Sequence, residues 1–239
     1  MLEGISRLLR REAGEIHPLF AENHAFFAAF DQDQPLEQYE FVVFDTELTG
    51  LNRADDDIVS IGAVRIRDLR IQVGESFFSH VRPTSLAATE STLIHQITPE
   101  ELKTAPQIRA VMEEFIRFVS RSLLVGHYIG LDMQFVNRVT ERLFHSRLKN
   151  PCLDTIRLAE TFTENRWKNY YDQFNLNASY NLADLSRKFN LPYCKPHDAF
   201  EDAMQTAYLF LFLIKKLRGM GIVTLRDLFR SGQRWRRFF

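Results

Sequence analysis

Cysteine is scarce in this sequence: Cys152 and Cys194 are the only two among 239 residues, and neither belongs to a closely spaced pair. That argues against a disulfide framework and against a structural zinc site. Long apolar runs are missing too. No stretch of about 18 apolar residues occurs, so no membrane-spanning helix is expected. The opening residues carry Glu3, Arg7, Arg10, Arg11 and Glu12, which interrupt the apolar segment a secretory leader requires, and a cytoplasmic protein is the expectation. Nor is charge of one sign in excess, with 30 basic residues against 31 acidic ones and a formal net charge of -1. No global field announces a nucleic-acid partner, and any basic surface must be local.

What remains is the profile of an ordinary globular protein, 45% hydrophobic and 26% charged. One domain of roughly 180 to 200 residues with an extra terminal segment suits the length. The 21 phenylalanines promise an aromatic-rich core, or stacking surfaces. Residues 1–38 read as a helical N-terminal extension. Ile5, Leu8, Leu9, Ile16, Leu19, Phe20, Phe26 and Phe27 are spaced for one or two amphipathic helices interrupted near Pro18, and Asp31 to Pro35 form a connector. Docking of this segment on its own domain is expected.

From Tyr39 the pattern changes to strands. Phe41 to Phe44 is a continuous apolar run, as in a central strand buried on both faces, and Ile58 to Ile66 and Glu75 to Val81 complete an antiparallel meander. Pro83 to Ala105 reads as loop with a short helix from Pro99. A helix then carries Val111, Phe115, Phe118 and Val119, and Leu123 to Gly126 is a buried strand. A second helix runs from about Leu131 to Leu143, Pro151 to Asp154 form another short strand, and Leu182 to Phe189 a short helix. Glu164 to Ser179 looks irregular. A long last helix begins at a cap, Asp198, and stops at Gly219. The order predicts an α/β domain with a mixed sheet over residues 39–218, followed by a basic, aromatic C-terminal tail over 219–239.

Asp45 and Glu47 close the first strand one residue apart. A strand alternates its faces, so both acids aim into the same space, about 7 Å apart along the backbone. Hard oxygen ligands of this kind suit Mg²⁺ or Mn²⁺, and open α/β sheets bind ligands beyond the carboxyl ends of their strands. A polar turn with both acids solvated fits the pair equally well. Asp132 and Asp202 also sit at element boundaries, each at a helix start where the macrodipole alone would favour a carboxylate. His197 precedes the cap of the last helix, and a neutral imidazole there could take a proton from water.

Together these residues resemble the DEDD exonuclease superfamily of the ribonuclease H-like fold, in its histidine-containing branch. The first motif is Phe44-Asp45-Thr46-Glu47-Leu48-Thr49-Gly50-Leu51, the second His127 to Asp132, and the third His197 to Ala203. The likeness spans about residues 40 to 215 and is nearest to proofreading epsilon subunits of bacterial DNA polymerase III. The resemblance implies a three-layer ribonuclease H-like fold in which Asp45, Glu47, Asp132 and Asp202 bind two divalent metal ions, Mg²⁺ or Mn²⁺, with His197 as general base. It implies substrate contacts from Thr46, Leu48 and Thr49, and from His95 in Leu93 to Thr98, although packing would account for Leu48 as well.

The chain departs from many relatives at Tyr128, Leu131 and Gln96, where asparagine, phenylalanine and glycine are common. No proposed ligand is lost. The activity implied is 3′-5′ hydrolysis of DNA to nucleoside 5′-monophosphates, in proofreading or repair. The implied partners are nucleic acid with a free 3′ end and a polymerase or other replication protein. A 3′-5′ exoribonuclease shares every catalytic residue, and a non-catalytic nucleic-acid-binding scaffold is the alternative of another class. The tail Arg230 to Phe239 interleaves arginines with aromatics; it suits a single strand, but packing of Trp235 and the phenylalanines on the domain is expected.

Overall fold

Strand β1 (Phe41–Leu48) is the axis of the computed structural model, which describes residues 16–167 and 179–233. Alternation divides its apolar residues between two cores. Phe41 and Val43 enter one cluster, Val42, Phe44 and Leu48 the other, so the run is continuous because both faces are covered. The strand continues four residues past Phe44, so the two acids lie within it rather than in a following turn.

β2 (Ile58–Arg67) and β3 (Arg70–His80) form the meander, joined by Asp68 and Leu69, both with positive φ, the geometry of a two-residue hairpin turn. β4 (Leu123–Gly126) and β5 (Cys152–Asp154) run parallel to β1 and complete the sheet order β3-β2-β1-β4-β5. All three parallel strands therefore end on the same edge. That edge carries Asp45, Glu47, His127 and Asp154.

Helices α1 (Pro18–Ala28), α4 (Ile108–Val119) and α5 (Ile129–Phe144) cover one face. On the other lie α6 (Thr155–Trp167), α7 (Leu182–Lys188), α8 (Ala199–Arg218) and α9 (Leu225–Gln233). Two short helices, α2 (Glu90–His95) and α3 (Pro99–Lys103), follow the meander. The architecture is the expected α/β fold with a mixed sheet between helical layers.

Several elements differ from expectation. Pro18 starts α1 rather than interrupting a helix, because its fixed φ and missing N–H suit the first turn. α2, in a stretch expected as loop, is fixed at its start by Thr89 N–H donating to the Thr92 hydroxyl at 3.0 Å. α6 includes Glu164 to Trp167, where irregular chain was expected, and the supposed tail contains α9, whose Leu225 and Leu228 are buried. Gly219 stays right-handed, and the left-handed residue after α8 is Gly221. The helix expected before Ile16, the aromatic stretch 168–178 and the last six residues with Trp235 lie outside the described residues.

The described part of the N-terminal extension, residues 16–38, docks on its own domain, as expected. Asn23 of α1 is buried and donates to the Ser120 carbonyl at 2.7 Å and to Asn150 Oδ1 at 2.6 Å, while Phe20 enters the second core. The connector is tied to the start of α9 by Leu36 N–H to the Val223 carbonyl at 3.0 Å and by an Arg226–Asp33 ion pair. Among the described residues, no helix is long and apolar enough to cross a membrane.

Candidate active site

A glycine opens the site. Gly62 of β2 lies opposite Asp45 in register, and a Cβ built on it would fall 2.3 Å from the backbone of Ala199 and Phe200. Without a side chain there, the first turn of α8 rests directly on the sheet beside Asp45. Asp198 caps that turn as expected, its Oδ1 accepting from Phe200 N–H at 3.0 Å and Glu201 N–H at 3.2 Å. Asp202 follows one turn later and accepts the His197 N–H on Oδ2 at 2.8 Å. This bond holds His197 in a left-handed conformation, φ 62°, with its ring exposed.

Asp45, Glu47 and Asp202 converge: one carboxylate oxygen from each lies within 4.8 Å of the others. The fourth acid, Asp132, is buried in the first turn of α5 and turned toward β1, its Oδ1 accepting from Thr46 N–H at 3.1 Å and the Thr46 hydroxyl at 2.6 Å. Thr46 lies on the opposite face of the strand from Asp45 and Glu47. It is buried, with its hydroxyl committed to Asp132.

Burial and mutual repulsion dominate the electrostatics. The Asp45 carboxyl is held well above its ordinary range by burial first, then by Asp132, Asp202, Glu47 and Asp198. Burial, followed by Asp202 and Asp198, lifts Glu47 to about 8. Burial lifts Asp132 to about 7 against the opposing Thr46 hydrogen bonds, and raises Asp202 against the His197 N–H. No lysine or arginine is among the main influences on any of the four.

A pocket of hard oxygen donors with unrelieved negative charge and no thiolate or imidazole in the converging trio fits a divalent ion of the Mg²⁺ or Mn²⁺ kind.

The other expected contacts are placed differently. Leu48 is buried and packs in the second core. Thr49 donates its hydroxyl to Asp56 Oδ1 at 2.8 Å and accepts Asp57 N–H at 2.9 Å. His95 is buried and shares a small recess with Thr49. Its Nδ1 accepts Ile97 N–H at 3.0 Å, which leaves the proton of the neutral ring on Nε2. Burial lowers its pKa, and so do the charges of His197 and His80.

Two contributors escaped sequence reasoning. Gly62 lies inside an ordinary strand pattern and carries no sequence signal of its close approach. Asp154 was read only as a strand residue. Its Oδ1 accepts Tyr128 N–H at 3.2 Å and Ile156 N–H at 3.0 Å, and its charge raises Asp132. An acid directly after a third parallel strand was the available signal. His127 beside it is orienting: the Thr155 hydroxyl donates to the Gly126 carbonyl at 3.3 Å and so accepts from His127 Nδ1 at 2.8 Å.

Comparison with known proteins decides the lineage. The RNase T family, described as Exonuclease, matches residues 42–210. The chain belongs to this exonuclease family. A DNA polymerase III subunit epsilon-like protein of Rhodobacter capsulatus is 34% identical over 195 residues, covering 80% of this chain and 26% of that protein. The PolC-type DNA polymerase III of Thermotoga petrophila is 30% identical over 82% of this chain and 13% of its own length. The chain thus spans only a small part of these relatives.

Among solved structures, Exonuclease X in complex with 5′ overhanging duplex DNA matches with TM-score 0.57 at 21% identity, over 80% of this chain and 99% of that one. Escherichia coli Exonuclease I in complex with a dT13 oligonucleotide gives 0.64 at 17%, over 77% and 43%. The fold of this exonuclease-family chain is therefore the ribonuclease H-like one expected from its motifs.

Proposed function

We propose that this chain is a divalent-metal-dependent 3′-5′ exonuclease that hydrolyses phosphodiester bonds at single-stranded or frayed 3′ ends of DNA, releasing nucleoside 5′-monophosphates in proofreading or repair. The observation that carries the reading is the convergence of Asp45, Glu47 and Asp202 within 4.8 Å, with no lysine or arginine of the described residues among their main influences. Asp45, Glu47, Asp202 and Asp132 would hold two ions, Mg²⁺ or Mn²⁺, whose charge would nearly cancel that of four carboxylates. Bound there, such ions supply positive charge to the scissile phosphate and favour ionisation of the attacking water.

The chain's own groups do the rest. His197 takes the proton from water; its exposed ring is adjacent to Asp202, whose carboxylate holds its backbone. Thr46 keeps Asp132 in place, and Thr49 and His95, which share a recess, would approach the terminal nucleotide. DNA in the two structural relatives supports a DNA substrate, and the name of the epsilon-like relative supports a polymerase as partner.

Incubation of a 5′-labelled oligonucleotide with Mg²⁺ or Mn²⁺ is expected to give a descending ladder that Asp45→Ala and His197→Ala abolish. An absent ladder, or one unchanged in both variants, would refute the assignment. Matched RNA tests polymer choice, which depends on the surroundings of the 2′-hydroxyl; faster cutting of RNA would move the chain to the exoribonucleases.

A further inference from the structure

Tyr128 is held in a conformation that its residue type disfavours, and its ring is left in solvent. Its φ is 65°, in the left-handed region that bulky side chains rarely adopt. Its N–H is fixed by Asp154 and its carbonyl accepts Leu131 N–H at 2.9 Å, so the backbone is pinned on both sides. The residue is nevertheless 68% exposed, so packing does not explain an aromatic there. Asparagine or glycine would make the same turn with less strain. A strained residue at the edge of a site points to a role for its side chain.

The surroundings show which role. Asp132 lies four residues further on, one turn of α5 or about 6 Å of helix rise. Asp154, which anchors the Tyr128 turn, is also close enough to Asp132 to raise it. Arg157, in the first turn of α6 and three residues after Asp154, has a largely exposed guanidinium, paired with Glu160 at 2.9 Å on the surface. An exposed ring and an exposed arginine thus both stand beside Asp154, at the carboxyl end of β5 and on the sheet edge that carries the acids. Ring faces stack on any unpaired base, and arginines hold the backbone between bases.

We propose that Tyr128 is the stacking platform and Arg157 the phosphate contact for an unpaired nucleotide next to the scissile bond, which makes this chain selective for single-stranded over fully paired 3′ ends. The inference rests on the exonuclease reading and specifies how that site takes its substrate.

The test compares the full-length wild type with Tyr128→Phe, Tyr128→Asn and Arg157→Gln. Asparagine keeps the left-handed turn and removes the ring, so loss of function is not confounded with misfolding, and unchanged melting temperatures check that point. Binding is read from quenching of 2-aminopurine near the 3′ end of a single-stranded oligonucleotide whose terminal phosphorothioate linkages slow cleavage. Turnover is read separately on ordinary single-stranded and blunt duplex DNA.

Wild type and Tyr128→Phe are expected to quench. Tyr128→Asn should lose the quench, bind roughly 5- to 100-fold more weakly, raise KM by a similar factor with kcat within about two-fold, and lose the advantage of single strands. Arg157→Gln should lower the salt dependence of binding by about one counterion. A Tyr128→Asn protein that binds, quenches and cuts as wild type does would overturn the proposal while leaving the exonuclease reading intact. A ring-dependent quench with no ladder from wild type would do the reverse.

Discussion

The two ends of the same strands handle acids in opposite ways. At the amino end of β1, Glu40 is paired with Arg65 at 3.1 Å and with Arg67 at 2.8 Å, and Glu75 of β3 with the same two arginines at 3.1 and 2.5 Å. At the carboxyl end, Asp45, Glu47, Asp132 and Asp202 are buried or half-buried with no arginine or lysine among their main influences. Cross-strand arginines were available to this sheet and were used where the acids are structural. Leaving four carboxylates without them, where every one is destabilised by burial, marks an end of the sheet built to receive charge from outside.

The sharpest way to break this contrast is to neutralise one acid at each end. Asp45→Asn should reduce exonuclease activity to background and at the same time raise the melting temperature of the metal-free protein, because it removes a buried, repelled charge. His197→Ala should lose about 10²- to 10⁴-fold in kcat with stability nearly unchanged. Glu40→Gln should do the opposite of Asp45→Asn, with unaltered kcat and a slightly lower melting temperature, since Glu75 still pairs both arginines. If Asp45→Asn destabilised the metal-free protein as well, the carboxyl end would be no more strained than the amino end.

A packing change tests the same boundary. Gly62→Ala places a methyl group against the backbone of Ala199 and Phe200, so α8 must move away from β1, taking Asp202 and His197 with it. Overpacking of this kind costs about 1–3 kcal/mol or more, and a misplaced base loses activity beyond the loss of folded protein. Denaturant melts alongside kcat separate the two effects. Retained kcat would mean that the approach of α8 to the sheet does not position the site.

These cases also show what could be read in advance. The acids and His197 were legible because chemistry confines them to strand ends and helix starts, and three ordered motifs reinforced one another. Continuous apolar runs at Phe41 to Phe44 and Leu123 to Gly126 made the buried parallel strands legible in the same way. Gly62 was not legible, because its meaning lies in a helix 137 residues later that happens to touch it. α9 was hidden by its composition, where arginines and a serine–glycine pair resemble a tail although Leu225, Leu228 and Phe229 pack in the core. The bond from Thr46 to Asp132 was not legible either, because it joins residues 86 positions apart.

Titration gives a smaller and continuous version of the contrast. Glu47 is lifted to about 8 and Asp132 to about 7 in the folded state, from ordinary values of 4.5 and 3.8. Between those limits the folded protein binds more protons than the unfolded chain, so stability is highest at acid pH and falls as pH rises toward 8. Mg²⁺ or Mn²⁺ binds the ionised form, so the gain in melting temperature on adding metal should grow from pH 6 to pH 8. Melts at both pH values with metal and with chelator measure it. A metal-free stability that rises over this range would show that these acids are not strained.

The smallest effect concerns backbone strain beside the site. Gln96 ends α2 with φ 61° and an exposed side chain, in the left-handed region where glycine carries no steric penalty. Gln96→Gly relieves that penalty but gives the unfolded chain more freedom, and the two opposed terms leave a gain of about 0.5–1 kcal/mol. His197 and Tyr128 are strained in the same sense, yet their rings have chemical tasks in the site as proposed, and replacing them should lower kcat or weaken binding. If Gln96→Gly is more stable and equally active, Gln96 serves only to turn the chain after His95. A fall in kcat/KM at unchanged or higher stability would place the Gln96 side chain itself on the substrate.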